Sequence, residues 1–208
     1  MSDFVELQWK RNRGWPWPED SYGLTPMYGE DGWCHSCGVP KRHQCGSLVL
    51  QHKGKTRFTG AWVPNWQFDV ICLERPLADE IGRRFDVELR EVAWHGGVGG
   101  GEASQIVPRR TDEPWFDHDE LRASAEERHG VAGKTCPECG VWRWMPLGFG
   151  FGLPPLRLDL ADQAGDVIAS PEWFGDGWNA FRVLLVRREL AELIADGSPR
   201  DAKVNKVV

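Results

Sequence analysis

The sequence predicts an α+β protein of two similar β-rich halves joined through one zinc-ribbon-like four-cysteine site. Three observations predict it. Two CxxCG knuckles stand about a hundred residues apart, Cys34-His35-Ser36-Cys37-Gly38 and Cys136-Pro137-Glu138-Cys139-Gly140. After each knuckle comes an apolar run that passes through charge into a short amphipathic helix. Hydrophobic and charged residues make up 41% and 27% of the 208 positions, as in ordinary globular chains. That length suits one domain or two small, closely packed ones.

Residues 1–30 read as an irregular Trp/Pro-rich segment, because Trp15-Pro16-Trp17-Pro18 withholds two backbone donors. Residues 31–95 form the first half. Its knuckle is followed by the strand Ser47-Leu48-Val49-Leu50, then a turn near Lys53-Gly54. Phe68 to Leu73 is a buried strand, rich in branched residues. The helix after it has Pro76 in its first turn and Leu77 and Ile81 on one face. Phe85 to Trp94 largely alternates apolar and charged, the period of a half-buried strand. Residues 96–130 are a Gly-rich loop and an acidic helical linker. Its helix spans His118 to His129, capped by Asp117 and ended by Gly130. Residues 131–197 form the second half: knuckle, the apolar stretch Leu156 to Leu160, a strand from Phe181, and a helix presenting Leu190 and Ile194. Residues 198–208 read as a frayed tail.

The knuckles repeat at an offset of 102 and the strand–helix units at 113. An insertion of about eleven residues in the second half accounts for the difference. This pattern is that of an internal duplication, and it gives both knuckles an equivalent role.

Two thiols from each knuckle complete one tetrahedral shell, so Cys34, Cys37, Cys136 and Cys139 are the expected ligands of a structural zinc ion. The glycine after each second cysteine allows the tight turn that aims backbone N–H groups at sulfur. A closed shell leaves no position for water or substrate. A rival set is local: Cys34, Cys37, His43 and Cys45, with Cys136 and Cys139 left to partners such as His129. Cys72 lies in an apolar strand and reads as core. Redox chemistry is disfavoured because neither CxxC opens a helix. Hydrolase and P-loop motifs are absent: His95-Gly96-Gly97 has no accompanying G-x-S-x-G, and the glycine run lacks a following Lys-Ser/Thr.

Net charge is −6, which disfavours non-specific nucleic-acid binding. The segment Asp112 to Glu127 holds seven acids, Asp112, Glu113, Asp117, Asp119, Glu120, Glu126 and Glu127, against Arg122. These acids are a candidate surface for a basic protein partner. A basic cluster, Lys41, Arg42, Lys53, Lys55 and Arg57, follows the first knuckle. Twelve tryptophans read mainly as core filling. No apolar run reaches the roughly 18 residues of a membrane span, and the N-terminus lacks signal-peptide character. A cytoplasmic setting is therefore expected, where paired cysteines more often bind metal than form disulfides.

The two CxxCG units, the Trp62 to Ile81 segment and the Phe181 to Ile194 segment together resemble the bacterial double-CxxCG motif proteins, an abundant paralogous family in myxobacteria. The resemblance covers about residues 30 to 197. The chain departs from the family pattern in having Gln44-Cys45-Gly46 where the family has Tyr-Pro, and in lacking Leu-His-Pro before the second knuckle. Some members are assigned as immunity proteins of contact-delivered toxins. The resemblance implies a non-enzymatic zinc-binding protein that binds and neutralises a cognate toxin. The alternative is a zinc-ribbon nucleic-acid-binding regulator.

Overall fold

The short apolar runs become short strands, and the amphipathic segments that follow them become helices. In the computed structural model, residues 3–10, 16–51, 58–97, 101–157, 164–177 and 179–205 are described. In chain order the elements are β1 (Phe4–Trp9), β2 (Trp17–Pro18), α1 (Leu24–Tyr28), β3 (Val49–Gln51), β4 (Ala61–Trp62), β5 (Ile71–Glu74), α2 (Arg75–Arg84), β6 (Glu88–Glu91), β7 (Ala93–Trp94), β8 (Ala103–Val107), β9 (Arg109–Arg110), α3 (His118–His129), β10 (Gly133–Thr135), β11 (Trp142–Trp144), β12 (Val167–Ala169), β13 (Trp173–Phe174), β14 (Leu184–Arg187), α4 (Arg188–Gly197) and β15 (Ala202–Asn205). The architecture is mixed α+β, as expected.

Two larger sheets carry the strand–helix units. One has the order β4-β5-β8-β6, all antiparallel. The other runs β15-β1-β14-β12-β9, antiparallel except for the β12–β9 pair. Two three-stranded sheets, β2-β3-β7 and β10-β11-β13, flank them. Neither β5 nor β14 is separated from its helix by a loop: Glu74 and Arg187 are extended, and the next residue is helical. Pro76 sits in the first turn of α2, where an absent N–H costs little.

Leu77, Ala78 and Ile81 on α2 share one apolar cluster with Leu190, Ala191 and Ile194 on α4. Val5, Ile71, Leu73, Ile106 and Val186 from the two larger sheets complete it. α2 and α4, 113 residues apart in sequence, therefore share one core, a contact that periodicity within either helix does not reveal. A second apolar cluster lies under α3 around Trp115, Phe116 and Phe174, and a third packs Trp33, Trp62, Leu48 and Cys72 together. Among the described tryptophans, Trp33, Trp62, Trp115, Trp144 and Trp173 are buried in the core, as their bulk predicts, and Trp66 is half exposed.

Several expectations need correction. The tail is not frayed where it is described: β15 pairs with the second part of β1, from Glu6↔Asn205 to Trp9↔Ala202. The first 30 residues contain β1 and α1, so they are not irregular throughout. The predicted Phe85–Trp94 strand is broken into β6 and β7 at buried Val92, whose N–H bonds Ala103 O at 2.9 Å. Leu156 and Arg157 lie outside any strand; Arg157 N–H instead bonds Trp115 O at 2.8 Å. The turn at Lys53-Gly54, the basic residues Lys53, Lys55 and Arg57, Trp15, Trp178 and positions 158–160 lie outside the described residues.

α3 has the predicted bounds. Asp117 Oδ1 accepts from Asp119 N at 2.9 Å and Glu120 N at 3.2 Å, and Gly130 ends the helix at φ 76°. Those N–H groups hold the Asp117 carboxyl below its ordinary range. Among the described residues no helix is long and apolar enough to cross a membrane.

Candidate metal centre

Each knuckle is the same turn. Cys34 N–H bonds Val39 O at 2.9 Å and Gly38 N–H bonds Cys34 O at 2.8 Å. In the second knuckle Cys136 N–H bonds Val141 O at 2.9 Å and Gly140 N–H bonds Cys136 O at 2.9 Å. Gly38 and Gly140 have φ of 77° and 71°, the left-handed region in which a side chain is strained. The flanking pairs Trp33↔Pro40 and Thr135↔Trp142 close the two turns.

The turns face each other. Cys34 Sγ lies 3.8 Å from Cys136 Sγ, and Cys37 Sγ lies 3.6 Å from Cys139 Sγ. All four sulfurs fall within 4.8 Å of one another. A tetrahedral ion with metal–sulfur bonds of about 2.3 Å requires sulfur–sulfur edges of about 3.8 Å, so the cluster fits one such ion. A disulfide needs about 2.05 Å, which these spacings exclude. Cys34, Cys37 and Cys136 are buried and Cys139 is half-buried. Burial pushes the Cys37 and Cys139 thiols up, while N–H groups of Cys139 and Glu138 aimed at its sulfur bring Cys136 down to about 6. Four thiolates crowded this closely need a cation between them.

Arg143 is the residue the sequence does not announce. It is buried on β11, where period-2 alternation between Trp142 and Trp144 would turn a charge outward. Its Nη1 donates to Cys37 O at 3.2 Å and to Gly177 O at 2.8 Å. A guanidinium from the second half thus holds the backbone of the first knuckle.

The rival ligand set is not assembled. Cys45 is exposed and its Sγ donates to Met27 O at 3.6 Å; His43 is exposed, and neither joins the thiol cluster. His129 bonds Pro146 O at 2.9 Å, and His35 stacks on Trp33 at 4.0 Å. Cys72 is fully buried and its thiol is pushed up by burial, in keeping with a core role.

No family model, curated protein or solved structure matches this chain.

Of the acidic candidates, Asp119, Glu120, Glu126 and Glu127 are exposed on α3, and Asp112 and Glu113 are exposed just before it. Asp117 is different: it caps α3 and pairs with Arg157 at 3.0 Å, so its first duty is structural. Glu172 went unnoticed in the sequence. It is buried, and its Oε1 accepts from Trp115 N at 2.8 Å and Phe116 N at 3.4 Å.

Proposed function

We propose that this is a non-enzymatic zinc-binding protein of the immunity or antitoxin type, which neutralises a cognate bacterial toxin by binding it in the cytoplasm. The observation that carries the reading is the four-thiol cluster. Its ligands complete a tetrahedron, so a zinc ion held there has no open position for a reacting group and serves as a clasp. Function then belongs to the surfaces the clasp holds. The exposed acids of α3 and its approach supply a surface suited to a basic partner.

The same reading includes an internal duplication, and the positions of the elements support it. β5 and α2 span residues 71–74 and 75–84; β14 and α4 span 184–187 and 188–197, an offset of 113 at every boundary. Equivalent positions also meet in space. Phe68 and Phe181 rings contact edge to face at 5.4 Å, and Asp69 pairs with Arg182 at 3.7 Å, both at that offset. Cys34 meets Cys136 and Cys37 meets Cys139 at the knuckle offset of 102. Self-contact of equivalent residues is the signature of a two-fold interface, here between two halves of one chain.

The test is co-expression with candidate toxin domains encoded beside the gene, followed by co-purification and growth rescue. The reading expects a 1:1 complex that Glu120→Lys, Glu126→Lys and Glu127→Lys together weaken. Asp117 is left intact so that α3 keeps its cap. Failure of every neighbouring toxin domain to bind would overturn it.

A further inference from the structure

A cleft of about 760 Å³ opens beside Cys139, and a second cavity of about 550 Å³ adjoins it. The two share Pro40, Lys41, Arg110 and Trp173 in their walls. Their chemistry differs from the rest of the molecule and from each other. The larger is walled by Trp142, Trp144 and Trp173 with prolines and valines, and also by Asp112 and Arg122. Arg122 lies over the Trp142 and Trp144 rings at 5.6 and 5.9 Å, and Arg182 over Trp173 at 5.1 Å. The smaller has six basic side chains against Asp69 and Glu88, a local net of +4 on a chain of −6. Several of these cations are already matched: Arg90 by Glu88, Arg109 by Asp86 and Arg182 by Asp69. Lys41 and Arg110, at the junction, are exposed and belong to no ion pair among the described residues.

The aromatic cavity also holds unmet hydrogen-bonding capacity. Glu172 is 6% exposed and lines the cleft, yet its Oε2 has no partner among the described residues. Trp142 lines the same cleft, and its buried Nε1 has none either. Such groups cost free energy unless something satisfies them. His118 lies 3.5 Å from Glu172 Oε1, not Oε2, and its ring packs on Trp144 at 5.4 Å. The occupant that satisfies both cavities carries negative charge at one end. At the other it has a flat ring whose edge offers both a donor and an acceptor. An acidic peptide supplies the charge but not the ring, and inorganic phosphate supplies only the charge.

We propose that the two cavities form one nucleotide-binding cleft, with the base among Trp142, Trp144 and Trp173 and the phosphate at Lys41 and Arg110. The larger cavity lies within the roughly 300–1,000 Å³ of small-molecule sites. The nucleotide is either free or the end of a single strand, since both present a base and a phosphate. This site stands independently of toxin binding.

The test titrates the zinc-loaded full-length protein, read by tryptophan fluorescence and calorimetry. The probes are adenosine and guanosine 5′-monophosphate, ribose 5-phosphate, an octamer of single-stranded RNA and a hexaglutamate peptide. The expected result is saturable binding of a monophosphate with Kd below about 1 mM, and at least about tenfold weaker binding of ribose 5-phosphate and hexaglutamate. Lys41→Ala with Arg110→Ala weakens binding about tenfold or more with circular dichroism unchanged, because both side chains are exposed and form no ion pair among the described residues. Trp142→Phe keeps an aromatic ring, though a smaller one, and removes the donor; it weakens the nucleotide while leaving ribose 5-phosphate unaffected. An octamer bound more than about thirtyfold tighter than the monophosphate, with steep salt dependence, identifies a strand end; comparable affinities identify a free nucleotide. The proposal is overturned if no monophosphate saturates by about 10 mM. It is equally overturned if the Lys41/Arg110 variant binds like the wild type, or if hexaglutamate or ribose 5-phosphate binds as tightly as the nucleotide.

Discussion

Replacing Ile194 by Ala tests whether α2 and α4 unfold as one body. Ile194 is fully buried on α4 and shares its cluster with Leu77 and Ile81 of α2. The substitution removes three carbons, about 2.5 kcal/mol at about 0.8 kcal/mol per methylene. The cavity left in a packed core raises the cost to roughly 3–4 kcal/mol. For a chain of this length that is a fall in Tm of about 6–16 °C. Urea denaturation gives the free energy, and hydrogen exchange locates it. The expected result is one cooperative transition, with faster exchange in α2 (residues 75–84) as well as in α4. Leu77, Ile81, Leu190 and Ile194 contribute roughly 1.5–3 kcal/mol each on burial, together comparable to the apparent ~10 kcal/mol of a structural zinc site. A loss under about 1 kcal/mol, or unchanged exchange in α2, would refute a core shared by α2 and α4.

Four further outcomes follow from the same geometry. The purified protein carries one zinc per chain by elemental analysis, and Cys37→Ser or Cys139→Ser removes it. Chelation of wild-type protein lowers Tm by about 10 °C or more, since a ligand at about a thousandfold over Kd stabilises by about 4 kcal/mol and a structural zinc site by up to about 10 kcal/mol. Arg143→Met weakens zinc about 10–100-fold without touching a ligand, because it releases Cys37 O; a competition assay with a chromogenic chelator reads this. Asp117→Asn changes the acid limb of stability. The folded carboxyl lies below its ordinary value, so its contribution is full above about pH 4 and is lost as pH falls through the folded value. Melts of the Asn variant therefore show a shallower decline between neutral pH and the acid limb.

Local pattern carried far in this chain. The bounds of α3 followed from Asp117 and Gly130, because a cap and a left-handed terminator act within one turn. The faces of α2 and α4 followed from i, i+4 spacing, and Leu77, Ile81, Leu190 and Ile194 are all buried. The four clustered sulfurs followed from two CxxCG turns, since a metal-sized site for four thiolates demands that they meet. No local pattern marks β15, because its residues acquire a partner only when β1 lies beside them. None marks Arg143, because its partners, Cys37 O and Gly177 O, are backbone groups more than thirty positions away that carry no side-chain signature. Glu172 and the double cleft are unmarked for the same reason. The sequence by itself determined which segments turn, twist and present an apolar face, as these depend on neighbours within a few residues. Only the tertiary structure decided that α2 lies in one core with α4 and that basic and aromatic walls meet at Lys41 and Arg110. Those contacts depend on which distant surfaces exclude water together.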